Sequence, residues 1–147
     1  TVRYGINSRL DEIHASFLRA KLTWLDNSNK KKRDIAKFYD QALTGLDNLQ
    51  IIRPNHNSVG NIHQYVITTS NRDKLQQYLK NLGIPTLIHY PTPIHQQPFF
   101  ATKYGKNPLP IAEKFCQTTL SLPSHEYMTT DEINQVIKAI HAFFKKC

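Results

Sequence analysis

Apolar positions set the first element. Leu10, Ile13, Phe17, Leu18, Leu22 and Leu25 recur at three- and four-residue steps, which predicts an amphipathic helix of roughly 25 Å. Gly5-Ile6-Asn7-Ser8-Arg9-Leu10-Asp11 opens it, with Ser8 and Asp11 at capping-box-like spacing and Asn7 as the competing cap. A second helix is predicted from about Lys31 to Leu43, with Ile35, Phe38, Tyr39, Ala42 and Leu43 on its apolar face and Gly45 beyond its end. The two are read as a hairpin.

Turn formers fill 53–61, and the β-branched run 62–69 that follows is expected to be a strand. Ser70 and Asp73 start a helix whose Leu75, Tyr78, Leu79 and Leu82 share a face, with Gly83 as its left-handed terminator. Residues 85–88 read as a short strand. Phe99-Phe100 and Tyr104-Gly105 mark a mobile or docking segment, and Pro110 begins a helix that turns Ile111, Ala112 and Phe115 inward. Thr119-Leu120-Ser121-Leu122 is expected as a third strand stopped by Pro123. Thr129 and Glu132 box a last helix striped by Ile133, Val136, Ile137, Ile140, Phe143 and Phe144. The predicted order is ααβαβαβα, an α+β class (an open α/β sandwich) in which a small three-stranded sheet packs with helices.

One stretch obeys neither period. Ile88-His89-Tyr90-Pro91-Thr92-Pro93-Ile94-His95-Gln96-Gln97-Pro98 holds three prolines, which fix φ and remove backbone donors, so no helix or central strand can run through it. It is expected to be a stiff, extended loop offering two imidazoles, a phenol and two amides to a partner. His95 is expected to hydrogen-bond within the loop, and His63 to be a satisfied core or edge histidine.

Composition narrows the picture. The 147 residues, 39% hydrophobic and 20% charged, suit one domain, 1–147, with a proper core. No apolar run approaches the ~18 residues of a membrane span, so no membrane association is expected. Cys116 and Cys147 form neither a disulfide framework nor a CxxC site, which favours a reducing cytoplasm. No signal-peptide core follows Thr1, and the only methionine is Met128, so the chain is expected to begin in mid-protein. The net charge of +8 favours anionic partners. Lys30-Lys31-Lys32-Arg33 has no interleaved aromatic, which makes a solvated helix start or loop the better reading than a nucleic-acid patch.

Candidate chemistry is thin on residues alone. His89 and His95 with His63 or His125 supply enough imidazoles for a metal, but their spacing matches no helical or hairpin ligand pattern, and no metal is expected. Ser121 and Cys116 lack an elbow or a paired base, and no GxxxxGK or GxGxxG is present.

Taken in order, Gly5-Ile6-Asn7-Ser8-Arg9-Leu10-Asp11, Lys21-Leu22, Arg33 to Tyr39, His63 to Ile67, the His89 to Pro98 loop and Ser121-Leu122-Pro123 resemble the C-terminal part of DegT-type nucleotide-sugar aminotransferases. The G-x-N-S-R-L-D opening and the H-Y-P-x-P-x-H-x-Q-P loop are its most specific parts. The resemblance implies the fold-type I pyridoxal-phosphate architecture, with 1–25 as the connecting helix and 26–147 as the small domain. The large domain, and with it the Schiff-base lysine and other catalytic groups, would be absent. It further implies a homodimer in the complete enzyme, pyridoxal 5'-phosphate not bound by this chain alone, and transfer of an amino group from glutamate to a nucleoside-diphosphate keto-sugar. The alternative is a free-standing remnant that binds nucleotide or anion, or dimerises, without catalysis.

Carried over by position, Asn7 matches the asparagine that reaches the cofactor phosphate of the other subunit, a job that suits a neutral amide donor. Arg3, Tyr4, His89 and Tyr90 fall where the resemblance implies substrate contacts, and Arg9 where it implies a substrate contact or an ion pair at the subunit interface. Ser16-Phe17-Leu18-Arg19-Ala20-Lys21 imitates the order around the cofactor lysine, but Lys21 lies where the resemblance implies the connecting helix, as a surface or packing lysine.

Overall fold

A computed structural model describes residues 9–55, 57–104 and 107–145. The first element is a single helix, α1, Glu12–Leu43, about 48 Å long at 1.5 Å per residue. The predicted hairpin is therefore wrong: Asp26-Asn27-Ser28-Asn29 runs on as helix. Asn and Ser cost only some tenths of a kcal/mol each in a helix, and without Gly or Pro nothing there breaks it. The expected N-terminal cap is also corrected in part. Asp11 is the N-cap and its side chain makes no capping bond; Asn7 and Ser8 lie outside the described residues.

The sheet is β1 (Gln50–Ile51), β2 (Tyr65–Thr68) and β3 (Thr119–Leu122) in that order, antiparallel throughout. Tyr65 stands opposite Leu122 and Ile67 opposite Leu120. The expected strand at 85–88 is reduced to one bridge, Leu87 with Ser121. Its place as a named strand is taken by the two residues of β1, too short to leave a periodic signal.

Helix α2 (Arg72–Asn81) ends as Gly83 predicts. At φ +74° Gly83 donates to the Lys80 carbonyl and Ile84 to that of Leu79, a Schellman closure that tucks Ile84 into the core. Its start differs from expectation: Thr69 Oγ1, not Ser70, accepts the amide of Asn71. α3 (Pro98–Tyr104) and α4 (Pro110–Thr118) follow, the latter with proline in its first turn. α5 (Thr130–Phe144) carries the predicted capping box, in which Thr129 Oγ1 accepts the Glu132 amide and Glu132 accepts the Thr129 amide.

α5 packs against both α1 and α2. Tyr39, Leu43, Ile67, Leu75, Leu79, Leu120 and Ile140 are fully buried where these elements meet the sheet, each aliphatic member contributing about 1.5–3 kcal/mol. Two expected apolar faces do not reach this core. Leu10, just before α1, and Ile13, Phe17, Leu18, Leu22 and Leu25 on its N-terminal half are all exposed, and Ile111 and Phe115 of α4 are exposed rather than turned inward. Helical period reports amphipathicity, not whether the partner surface belongs to the same fold.

Tyr39 ties the core to the region of the proline loop. Its hydroxyl donates 2.8 Å to the Pro123 carbonyl, and its ring packs on Tyr65 with centroids 4.8 Å apart. Burial pushes its ionisation well above the usual phenol range. Tyr65 in turn donates to Asp40, and burial together with that bond raises its ionisation too.

Candidate functional site

The proline loop leaves α2 through Ile84 and is anchored first by backbone. Leu87 donates to the Ser121 carbonyl at 3.2 Å and accepts its amide at 2.8 Å. His89 follows, half-buried, with Nδ1 2.9 Å from Ser121 Oγ. The His89–Tyr90 peptide is cis. Tyr90 is exposed, its ring edge-on to that of His89 at 5.5 Å.

Beyond them Pro93 is buried, and Ile94–Gln96 form a 3-10 turn. The expectation that His95 bonds within its own loop is corrected here. Its Nε2 lies 3.0 Å from Glu113 Oε1 on α4. The same oxygen accepts the Leu109 amide at 2.9 Å, so one carboxylate caps the start of α4 and tethers the loop to it. The Leu109 N–H first, and His95 second, hold the Glu113 carboxyl below the usual carboxylate value.

The loop divides two grooves. One, of about 500 Å³, is apolar and lined by Tyr90, Pro93, Ile94, Phe100, Phe115 and Cys116 among others. The other, of about 540 Å³, is the more polar of the two, with Lys32, His63, His89, Ser121, Ser124 and His125 among its walls. His63 is exposed at the approach to β2, not the core or edge histidine expected. Lys32 comes from the basic run read as a solvated helix start or loop, yet it is half-buried because α1 continues through that run and lays it beside the sheet end. Neither Lys32 nor His125 had a signal in the sequence beyond its residue type. Ser121 did, as part of the Ser121-Leu122-Pro123 segment.

The structure thus brings His89 and Tyr90 together, facing different grooves. Arg9 stands apart, exposed, with no partner among the described residues. Arg3, Tyr4 and Asn7 lie outside the described residues. No group of three His, Cys, Asp or Glu among the described residues could hold a metal ion, and no described helix is long and apolar enough to cross a membrane.

Structural neighbours of this chain are aminotransferases of the fold-type I pyridoxal-phosphate class. The structure superposes with a TM-score of 0.91 on the Streptomyces venezuelae protein DesV, solved in complex with a ketimine intermediate, at 33% identity over 98% of this chain and 39% of that one. Residues 1–141 match the DegT/DnrJ/EryC1/StrS aminotransferase family, and the chain belongs to it. Curated relatives include the dTDP-3-amino-3,4,6-trideoxy-alpha-D-glucose transaminase of Streptomyces venezuelae, 36% identical over 97% of this chain. Another is the UDP-2-acetamido-2-deoxy-3-oxo-D-glucuronate aminotransferase of Pseudomonas aeruginosa, 34% identical over 95%. The chain spans 38% of the length of each.

Neither Lys21 nor Lys32 offers the enclosed lysine that pyridoxal phosphate requires. A lysine that holds the cofactor must be enclosed, and desolvation or a cationic neighbour must lower its proton affinity. Lys21 and Lys32 share a third groove with Trp24, Glu126 and Tyr127, but Lys21 is exposed and Lys32 only half-buried. Lys21 is the surface lysine expected of it.

Proposed function

We propose that this chain is the small domain, with its connecting helix, of a cytoplasmic, homodimeric pyridoxal-phosphate-dependent aminotransferase. Residues 1–25 would serve as the connector and 26–147 as the domain. The enzyme moves an amino group from glutamate to the keto group at C-3 of a nucleoside-diphosphate hexose. Position 3 is the one common to the names of the two curated relatives above, one a dTDP-sugar and one a UDP-sugar enzyme.

The observation that carries the reading is a pair: the family match over nearly the whole chain, and an α1 whose first half presents Ile13, Phe17, Leu22 and Trp24 to solvent. That many large apolar side chains exposed along one helix are expected to lie against another protein surface. In the relatives' full length there is room for one, since this chain accounts for little more than a third of it.

In this reading the cofactor, when bound, stores the electrons of the transferred group, and its lysine lies outside this chain. The chain supplies walls. Asn7 donates to the cofactor phosphate of the other subunit. His89 donates to a substrate oxygen from the polar groove, and Tyr90 closes over the apolar one. Arg3, Tyr4 and Arg9 contact the nucleotide or sugar. Because prolines pre-set the loop, little ordering entropy is lost when a ligand settles against it.

Two measurements test this. The chain alone, treated with pyridoxal phosphate and borohydride, is expected to show no adduct confined to one lysine; a single modified lysine overturns the division of labour. Joined to the N-terminal part of the Streptomyces venezuelae transaminase, it is expected to support glutamate-dependent amination of a dTDP-3-keto-hexose, read by mass spectrometry. A folded, cofactor-loaded fusion that aminates only a 4-keto-hexose would refute the position.

A further inference from the structure

Ser121 is 6% exposed in β3. Its amide and carbonyl are both committed to Leu87, and its hydroxyl has one partner, His89 Nδ1 at 2.9 Å. A buried hydroxyl carries one proton that needs an acceptor. If Nδ1 bore a hydrogen it would donate to Oγ, and the Ser121 proton would have no acceptor among the described residues. With Nδ1 bare, the hydroxyl donates to it and both groups are satisfied. The ring proton of neutral His89 then sits on Nε2, for which the structure gives no partner among the described residues. His89 and Ser121 share a wall of the polar groove, where Lys32 supplies a cation and no carboxylate lines the described surface.

We propose that Ser121 is a positioning residue: it locks His89 in the Nε2–H tautomer, so that the polar groove presents a fixed neutral N–H donor beside Lys32 to an anionic acceptor oxygen of the phosphoryl class. Neither partner is charged in this arrangement, so the donor's direction is set by a hydrogen bond rather than by a salt bridge that solvent could relax. A ligand atom that only donates is rejected there. The inference rests on the proposed function in taking His89 as ligand-facing, but not on the identity of the sugar.

Long-range ¹H–¹⁵N spectra of the 147-residue chain, recorded well above the ordinary imidazole range, test it directly. Wild-type His89 is expected to show a bare Nδ1 and a protonated Nε2, Ser121→Ala a mixture of tautomers, and Ser121→Thr the wild-type pattern restored. A wild-type Nδ1–H tautomer, or an unchanged pattern in Ser121→Ala, overturns the proposal. Titration with inorganic pyrophosphate gives the second arm. Affinity is expected to fall about two- to threefold in Ser121→Ala, as the share of the competent tautomer falls, and about tenfold, the scale of one whole hydrogen bond, in Ser121→Ala/His89→Ala. Equal affinity of wild type and Ser121→Ala overturns it. If Ser121→Ala scrambles the tautomer and weakens pyrophosphate while the fusion fails to aminate any 3-keto-hexose, the positioning role stands and the substrate assignment falls.

Discussion

Arg72 offers the sharpest test of how the sheet is held under the loop. At the start of α2 its side chain is nearly buried, and Nη1 donates at 3.2 Å to two carbonyls, those of Cys116 at the end of α4 and Thr119 at the start of β3. Nε is paired with Asp73, whose own side chain is mostly in solvent. The exposed half of that pair contributes little, because an ion in water gains little from a partner. The two carbonyls carry the effect. Replacing Arg72 by Met keeps the aliphatic stem and strands both acceptors. A hydrogen bond to a charged donor is worth about 1.5–3 kcal/mol, and some relaxation toward water is expected, so the pair should cost about 3 kcal/mol. That is a large part of the roughly 5–15 kcal/mol that holds such a domain. It corresponds to a fall in Tm of about 6–12 °C. Arg72→Lys, with a single ammonium in place of the fork, should fall between Met and wild type. Urea unfolding followed by circular dichroism at constant slope measures both. A loss below about 0.5 kcal/mol in Arg72→Met would refute the reasoning, as would a Lys variant no better than Met.

Three further outcomes are expected. Tyr39→Phe leaves the Pro123 carbonyl without its donor and should cost about 1–2 kcal/mol by the same unfolding assay, while shifting the amide resonances of Ser124 and His125. Thr129→Ala removes one arm of the capping box on α5 and should cost about 1 kcal/mol, with Thr129→Ser close to wild type. Glu113 has its folded-state pKa lowered by the Leu109 amide and then by His95. Its contribution is therefore present at neutral pH and lost as pH falls through the acid range below the ordinary carboxylate value. Glu113→Gln should narrow the difference between urea midpoints at neutral and strongly acid pH, and an unchanged difference would contradict the tether.

Periodicity carried the C-terminal half of the fold because its signals are local. The Thr129 and Glu132 box, the Gly83 terminator and the Ile133 to Phe144 stripe each need only a few neighbours to act, and the helices they bound are present. The continuity of α1 was not legible, since polar residues at Asp26 to Asn29 look like a turn unless the missing breaker is weighed. The direction of its first apolar stripe was not legible either, because a stripe says that a surface is wanted and not which chain supplies it. At the site, prolines announced the loop, and the His-Tyr-Pro run singled out His89 and Tyr90. The groove beside them was invisible, since Lys32, His63, Ser121 and His125 meet only through the antiparallel pairing of β2 with β3 and the passage of α1 beside that end. His95 and Glu113 are likewise eighteen positions apart and joined by folding alone.

An unbroken α1 works as a ruler and a protractor at once. Removing one residue anywhere between its exposed start and its buried end draws the two ends together by about 1.5 Å and turns one against the other by about 100°. Its middle turns should therefore accept almost any helix-forming residue and yet no change in count. A one-residue deletion near Ser28 would aim Phe17 and Trp24 at a different quarter of space, with every buried contact of the domain left as it was.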